Sequence, residues 1–279
     1  MSFILITGAT GTIGAHLVKE LIAAGVRPRV LVRDPAKVAH LGNAVEVVRG
    51  DLDDTASVAT ALEGASRAFL LASAPQQETA FIAAAKAAGV RHVVQLSSGG
   101  VSFGVASGPL HAPGEAALRA SGMAWTILRP WEFMSNTLQW KGMLPGGAIY
   151  DPCGDGATPL IDPRDIAAVA AKVLTTPGHD GKIYELTGPT AVTRSEMVQA
   201  LSSVLGRPLR YVPIPNAAFR QQLAGFGMPD FMIGPVADYM QLVADGKLAL
   251  PTGDVAQVLG RPPRAFAEWA KDHAAAFGA

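Results

Sequence analysis

The chain has 279 residues, and its 23 basic and 23 acidic side chains give a formal net charge of zero. This balance provides no electrostatic reason to expect a nucleic acid or an anionic membrane as a partner. The apolar runs are short and interrupted, so no segment is expected to cross a membrane, and the N-terminal run is too short for a signal sequence. Cys153 is the only cysteine, which excludes an internal disulfide and favours a reducing, cytoplasmic location.

Short apolar runs alternate with helical patterns through the first part of the chain. Strands are predicted at 3–6, 29–32, 45–48, 68–71, 92–96 and 125–128. Helices are predicted between them, at 15–24, 35–41, 55–62, 78–88 and about 112–120. Because the strands are almost uniformly apolar and alternate strictly with helices, they predict an α/β fold with a parallel, doubly wound sheet. The ligand site of such a sheet lies beyond the carboxyl ends of its strands.

Beyond residue 130 the strict alternation ends, although a strand at 182–186 is predicted to return to the sheet. The stretch 213–265 is rich in Pro, Gly, Phe and Met and has no strand alternation, which favours a small, mostly helical C-terminal cap. The predicted domains are an α/β core of residues 1–130, to which 148–190 returns, and a substrate-binding cap of residues 131–147 and 191–279.

The first strand runs directly into three glycines, in the sequence FILITGATGTIG. Gly8, Gly11 and Gly14 follow a strand and precede a helix, which is typical of the phosphate-binding corner of a dinucleotide-binding Rossmann fold. The first glycine permits the tight turn, the second lets the backbone approach the pyrophosphate, and the third lets helix and strand pack closely. The alternative is a tight turn that binds no ligand. The predicted cofactor contacts at this corner are Thr7, Gly8, Gly11, Thr12, Ile13 and Gly14.

Five segments of the chain carry a family resemblance: ITGATGTIG, HVVQLSSGG, SGMAWTILRPWEFMSN, IDPRDIAAVAAKVL and GKIYELTGP. Together they resemble the NmrA-like group of atypical short-chain dehydrogenases/reductases, over almost the whole chain. The resemblance implies an NAD(P)-binding Rossmann core and an activity like that of NAD(P)H-dependent quinone, triphenylmethane-dye or benzylic ether reductases. The same group contains cofactor-binding regulators, so a non-catalytic, dinucleotide-sensing regulatory protein is the alternative.

The end of the second strand decides between NAD and NADP in such folds, because an acid there favours the ribose hydroxyls and an arginine favours the 2′-phosphate. Arg33 ends this strand, and Lys37 follows one turn later. Asp34 stands between them, but it is also a helix cap before Pro35. This pattern favours NADP, with NAD as the other possible cofactor.

The ends of the remaining strands supply further expected cofactor contacts. The resemblance implies that Asp51 and Leu52 lie beside the adenine. The position of the strand ends predicts contacts along the ribose and pyrophosphate and near the nicotinamide. These predicted contacts are Leu71, Ala72, Ser73, Ser97, Ser98 and Pro130.

The proton-handling pair of ordinary short-chain dehydrogenases, Tyr-x-x-x-Lys, is absent, because none of the four tyrosines has a lysine four residues later. By resemblance, His111 occupies the position at which related reductases carry Lys or His. It is predicted to donate a proton, with a histidine that merely contacts cofactor or solvent as the alternative. Glu115 lies four residues later and would share its helix face. Pro113 and Gly114 loosen this helix start relative to the family pattern.

Two other chemistries have weak signals. The sequence from Gly100 to Gly104 matches the Gly-x-Ser-x-Gly motif of serine hydrolases, but ten residues separate it from a helix where an elbow would pass directly from strand to helix. The six histidines are scattered without ligand spacing, so no metal site is predicted.

Large apolar side chains after the sixth strand and in the cap are expected to wall a pocket for a flat, aromatic or quinone-like molecule. The alternative is that many of these apolar side chains form the core of the cap. The predicted pocket residues are Trp131, Phe133, Met134, Asn136, Trp140, Phe226 and Phe231. The predicted function is that of an NADP-dependent oxidoreductase. It would pass a hydride from NADPH to an electron-poor acceptor that is quinone-like, dye-like, an enone or an imine.

Overall fold

The computed structural model describes residues 3–278, and Met1, Ser2 and Ala279, the outermost residues of the predicted domains, lie outside the described residues. The strands are β1 (Phe3–Ile6), β2 (Arg29–Val32), β3 (Glu46–Arg49), β4 (Ala65–Leu70), β5 (His92–Leu96), β6 (Ala124–Pro130), β7 (Ala148–Asp151), β8 (Ala157–Thr158), β9 (Lys182–Leu186), β10 (Val192–Thr193) and β11 (Arg210–Pro213). The α-helices are α1 (Gly14–Ala23), α2 (Thr55–Leu62), α3 (Pro75–Ala87), α4 (Gly108–Ala120), α5 (Pro163–Thr175), α6 (Arg194–Leu205), α7 (Asn216–Gly225), α8 (Asp230–Ala244), α9 (Asp254–Leu259) and α10 (Phe266–Asp272).

Seven strands form one sheet in the order β3-β2-β1-β4-β5-β6-β9. All the pairings recorded between neighbours from β3 to β6 are parallel. The order reverses direction at β1, which is the topology of a doubly wound Rossmann fold. The predicted fold class is therefore confirmed, and β9 returns to the sheet beside β6 as expected.

Three helical segments differ from their predictions. Helix α3 begins at Pro75, three residues earlier than expected. The segment Pro35–Ala44 is a 3-10 helix, and it is interrupted at Gly42, which has a φ of 52°. Helix α4 begins at Gly108, four residues earlier than expected, and continues through Pro113. Within residues 3–278, every helix falls short of the length and apolar character that a bilayer crossing requires.

The contacts divide the chain into two compact units. The first contains the residues up to Val101, together with Pro109–Pro130 and Pro163–Glu185. The second contains Ser102–Gly108, Trp131–Asp162 and the residues from Leu186 onwards. The predicted division into a cofactor-binding core and a substrate-binding cap concerns the roles of these parts, and it stays a prediction.

The first unit has its core between the sheet and helices α2, α3 and α4. Side chains from the strands, such as Leu5 and Ile127, pack there against Leu62, Phe81 and Leu118, and all five are buried. Burial of a side chain of this size stabilises a fold by roughly 1.5–3 kcal/mol. This packing holds the strand ends, and the loops that follow them, in fixed positions.

The second unit has two apolar clusters and a buried ionic group. Arg194, at the first position of α6, is 1% exposed and binds two acids. Its Nη2 atom donates to Glu132 at 2.7 Å, and its Nε atom donates to Asp151 at 3.2 Å. Burial raises the pKa of Glu132, while the charge of Arg194 opposes that rise. The lone Cys153 is also buried here, and its burial raises the pKa of its thiol.

Candidate functional site

The loops after the first four strands of the sheet surround one cleft in the first unit, with a cavity volume of about 190 Å³. Parallel strands all end at the same edge of a sheet, so their following loops converge there. The cleft is lined by Thr7, Gly8, Ala9, Thr10, Leu31, Val32, Arg33, Gly50, Asp51, Leu52, Asp53, Leu71, Ala72, Ser73 and Gln77.

Thr7 ties the end of β1 to the end of β4. Its hydroxyl group donates to the carbonyl oxygen of Leu71 at 2.9 Å and accepts from the N–H of Leu71 at 2.8 Å. The Leu71 side chain is thereby held against Gly8, where an added Cβ would lie 3.1 Å from it. Gly8 also has a φ of +67°, which side-chain-bearing residues rarely adopt. The first glycine of the corner is therefore required by the turn itself.

The second and third glycines of the corner differ in what surrounds them. A Cβ on Gly14 would lie 2.1 Å from the carbonyl oxygen of Gly8, so no side chain fits there. A Cβ on the exposed Gly11 would meet only that oxygen, at 3.3 Å. Internal packing excludes a side chain at Gly14 and constrains Gly11 less, since its one contact is tight without overlapping, and this difference fits a backbone that a ligand must approach closely. Since α1 begins at Gly14, the positive end of its dipole lies at this corner, where it favours a phosphate.

A hydrogen-bonded chain of polar side chains forms another part of the cleft wall. The Gln77 amide donates to Asp53 at 2.9 Å, and its oxygen accepts from the backbone N–H of Ser73 at 3.1 Å. This chain joins the loop after β3 to the loop after β4. The sequence analysis did not identify Asp53 or Gln77, because neither directly follows a strand.

The end of β2 presents a positive charge to the cleft. Arg33 is exposed and lines it, and within residues 3–278 its guanidinium has no ion pair. The neighbouring Asp34 caps the following 3-10 helix, accepting from the N–H of Ala36 at 3.0 Å. Lys37 lies in an adjacent cavity of about 210 Å³, which shares Ala9 and Thr10 with the cleft. Asp34 therefore serves as a helix cap, and the guanidinium of Arg33 is available to bind an anion.

The structure brings half of the predicted cofactor contacts together in the cleft. Those that line it are Thr7, Gly8, Arg33, Asp51, Leu52, Leu71, Ala72 and Ser73. Those outside its lining are Gly11, Thr12, Ile13, Gly14, Lys37, Ser97, Ser98 and Pro130. Lining residues that were not predicted are Ala9, Thr10, Leu31, Val32, Gly50, Asp53 and Gln77. Cofactor binding by any of these residues stays a prediction.

The side chain of Ser97, after β5, forms part of a buried ionic network. Its hydroxyl donates to Glu115 at 2.6 Å, and Arg129 donates to both oxygens of the same carboxylate, at 2.8 and 2.6 Å. Burial acts to raise the pKa of Glu115, but the hydrogen bonds from Arg129 and Ser97 outweigh it and hold that pKa below its usual value. Glu115 therefore does not pair with His111. It anchors α4 to the ends of β5 and β6.

His111 lies one turn earlier on α4, with 18% of its side chain exposed. Its Nδ1 atom is 2.6 Å from Oε1 of Glu78 on α3. Glu78 is 1% exposed, and among residues 3–278 its second oxygen has no hydrogen-bond partner. The sequence analysis missed Glu78. The available signal was its position, since it stands three, four and seven residues before the buried Phe81, Ile82 and Ala85.

The predicted pocket residues fall into two groups, both in the second unit. Met134 and Trp140 are 1% and 3% exposed and pack in its core, so neither has a face left for an acceptor. The others are accessible: Trp131 and Phe133 are half-buried, and Asn136 is exposed. The rings of Phe226 and Phe231 are 61% and 67% exposed. We therefore limit the candidate acceptor contacts to these five.

The serine-hydrolase alternative lacks its required geometry. Ser102 ends a short 3-10 helix, Gly99–Ser102, and α4 begins only at Gly108. No sharp strand-to-helix turn therefore presents this serine. Within residues 3–278, no group of three or more His, Cys, Asp or Glu side chains is arranged to hold a metal ion.

Comparison with known proteins gives consistent matches over the whole length. The NmrA-like family model matches residues 1–269. An NAD(P)H azoreductase of Xenophilus azovorans is 40% identical, over 99% of this chain and 99% of that protein. A (4-alkanoyl-5-oxo-2,5-dihydrofuran-3-yl)methyl phosphate reductase of Streptomyces griseus is 39% identical, over 98% and 99%. The crystal structure of an NADPH-dependent quinone oxidoreductase of Escherichia coli, complexed with NADPH, has a TM-score of 0.88 at 29% identity, over 97% and 99%.

The two glycines with different surroundings should respond differently to substitution. Gly11→Val should abolish NADPH binding in a folded protein, because a side chain there blocks approach to the backbone. Gly14→Ala should instead lower the free energy of unfolding by about 1–3 kcal/mol, because its methyl group overlaps backbone. Fluorescence titration with NADPH and urea unfolding would measure the two effects. Native affinity in Gly11→Val would contradict the phosphate-binding role of the corner.

Proposed function

The chain belongs to the NmrA-like family, and on that premise we propose that it is an NADPH-dependent reductase of flat, electron-poor organic acceptors. The observation that carries the proposal is the glycine corner, where an exposed Gly11 that packing constrains less than Gly14 stands before the first turn of α1. Relatives of similar length that are named as azo and quinone reductases support the reaction class.

Arg33 and Lys37 are the residues we propose to select NADPH over NADH. The guanidinium of Arg33 is exposed at the cleft, and its planar donors suit a phosphate group. Lys37 adds a point charge in the adjacent cavity. One oxygen of Asp34 already accepts a helix-capping hydrogen bond, so in this proposal Arg33, and not Asp34, decides between the cofactors.

The rest of the cleft would hold the cofactor along its length. The backbone of the glycine corner would bind the pyrophosphate, and the polar chain of Asp53, Gln77 and Ser73 would face the adenosine part. Ser97 and Ser98, after β5, remain the proposed neighbours of the nicotinamide. NADPH, when bound, supplies a hydride from its nicotinamide ring.

Aromatic side chains of the second unit are the proposed acceptor contacts. Trp131 packs edge-on against Phe103, with ring centroids 5.8 Å apart, so its ring is held in a fixed direction. Phe226 and Phe231 expose large apolar faces. Such faces suit flat conjugated molecules. The names of the relatives specify an azo compound, a quinone and an alkanoyl-substituted oxo-dihydrofuran, and each of these contains a polarised double bond that can accept hydride.

His111 is the proposed proton donor of the reaction. Hydride addition to a quinone leaves an oxyanion, which needs one proton to become the hydroquinone. A partly exposed imidazole can give that proton and recover it from water. We also propose that the first unit is the cofactor-binding domain, that the second binds the acceptor, and that the enzyme works in the cytoplasm.

The proposed activity predicts turnover as well as binding. NADPH should be oxidised in the presence of a quinone, an azo dye or a cationic triphenylmethane dye. The loss of NADPH absorbance measures this oxidation. A cofactor-sensing regulator would instead bind NADPH with normal affinity and oxidise it with none of these acceptors. That outcome would replace the reductase with the alternative function.

Arg33→Ala should weaken NADPH binding and leave NADH binding almost unchanged, because only NADPH carries the 2′-phosphate. A lost charge-assisted contact of this kind corresponds to about 1.5–3 kcal/mol, or roughly tenfold or more in the dissociation constant. Fluorescence titrations with both cofactors would measure it, with Arg207→Ala as the control at an exposed arginine. An equal loss for NADPH and NADH would assign cofactor choice to other residues.

His111→Ala should slow quinone reduction by about two to four orders of magnitude, because a positioned general acid contributes that much. Reduction of a cationic triphenylmethane dye should change little, since hydride addition to the cation gives a neutral product without a proton. Steady-state kinetics with both acceptors would separate the cases. Small, equal losses on both acceptors would remove the proton-donor role and leave His111 as a cofactor contact.

A further inference from the structure

The buried acid behind His111 has no role in the function described so far. We propose that Glu78 is a positioning residue: its carboxylate holds the proton of His111 on Nδ1 and thereby makes Nε2 the atom that exchanges protons with the reduced acceptor. The inference rests on the proposed function, because it concerns how the proposed proton donor is oriented.

The contact itself has a defined direction. In this proposal Glu78 is the carboxylate, which only accepts hydrogen bonds, and Nδ1 of His111 is the donor across the 2.6 Å contact. Glu78 lies in the first turn of α3, where the helix dipole favours a negative charge. A carboxylate bonded to one ring nitrogen fixes the tautomer and the orientation of the ring, which leaves the other nitrogen for chemistry.

Burial of the Glu78 carboxylate lowers the stability of the fold, which indicates that this residue has a functional role. Glu78 is 1% exposed, and its Oε2 atom has no partner among residues 3–278. Within the described part of the chain, the nearby amide of Gln95, on β5, also has no partner for either of its polar atoms. Buried polar atoms without hydrogen bonds cost free energy, so a purely structural position would favour an apolar side chain.

Gly114 shows that the backbone is adapted to this acid. A Cβ on Gly114 would lie 1.9 Å from Oε2 of Glu78 and 2.8 Å from Nε2 of Gln95. Glycine lowers the stability of a helix interior, and here its missing side chain makes room for the carboxylate. The apparent loosening of α4 at this residue is therefore the space in which Glu78 reaches His111.

The arrangement gives a balanced proton transfer. After hydride has added to a quinone, the Nε2–H bond of the imidazolium breaks, and the proton bonds to the oxyanion of the reduced acceptor. His111 returns to the neutral form with its proton on Nδ1, and Nε2 then takes up one proton (H⁺) from the solvent, so each hydride transfer consumes one solvent proton. Glu78 acts only as a hydrogen-bond acceptor, and no electron passes through either residue.

Nitrogen NMR provides a test that does not depend on turnover. In ¹⁵N-labelled protein without cofactor, at a pH where the imidazole is neutral, His111 should show a protonated Nδ1 and an unprotonated Nε2. The His111→Ala spectrum assigns the signals. Glu78→Leu, which removes the acceptor, should abolish this single tautomer. The same substitution at the exposed Glu63 should leave the spectrum of His111 unchanged. A wild-type spectrum with the proton on Nε2 would overturn the inference.

Kinetics test the consequence for the reaction. Glu78→Leu should lower kcat for a quinone by about 10- to 100-fold, as removal of a histidine's orienting partner typically does, with KM for NADPH unchanged. Glu78→Gln, which keeps an accepting oxygen, should fall between Glu78→Leu and the wild type. Reduction of the cationic dye should not change in either variant.

Gly114→Ala provides a second route if Glu78→Leu does not fold. The added methyl group should displace the carboxylate while both partners remain, so it should reproduce the loss of the Nδ1–H tautomer and of quinone kcat. Gly253→Ala is the control, because a Cβ there meets open space. If His111→Ala slows quinone reduction but Glu78→Leu and Gly114→Ala do not, the inference is wrong and the proposed function stands. If His111→Ala has no effect on either acceptor, the proton-donor role is wrong, and the NMR spectra alone decide the role of Glu78.

Discussion

The close approach between Gly8 and Gly14 is the constraint on which the ligand-binding edge of the sheet depends. A side chain at Gly14 would occupy the position of the Gly8 carbonyl group, so only glycine lets α1 start directly against the end of β1. Thr7 then joins that strand end to Leu71 and the end of β4. The loops after four strands are thereby brought around one cleft, and each proposed cofactor contact there depends on this geometry.

Two acids buried in the first unit illustrate how environment assigns different tasks to the same chemical group. Both oxygens of Glu115 accept hydrogen bonds, from Arg129, Arg119 and Ser97. The role of Glu115 is therefore structural. Glu78 has one oxygen on a partly exposed histidine and one with no partner among residues 3–278. A fully satisfied network stiffens a fold, whereas an incompletely satisfied buried group beside a partly exposed histidine is a candidate functional feature. Glu78 and Glu115 are the same type of residue, so the difference between their roles follows only from the residues around them.

The parts of the molecule that local patterns determine could be predicted from the sequence. The glycine corner, the alternation of strands and helices that predicts the doubly wound sheet, and the cap formed by Asp34 each depend on residues close together in the chain. Glu78 and His111 are 33 residues apart, and no local pattern pairs them. The sequence around Gly114 shows only that glycine lowers helix stability. It does not show the carboxylate that fills the space beside Gly114, because that carboxylate comes from another helix. Met134 and Trp140 could not be distinguished from exposed aromatic or sulfur-containing side chains before their packing was known.

The interior of α4 also limits how this protein can be made more heat-resistant. Pro113 and Gly114 are the two residue types with the lowest helix propensity, so engineering by propensity alone would replace them first. At Gly114 any gain in helix stability would be opposed by collision with a buried acid. Glycines that face open space, such as Gly225 in α7, offer the same entropic gain without that conflict. Improvement of stability and preservation of catalysis therefore call for changes in different helices.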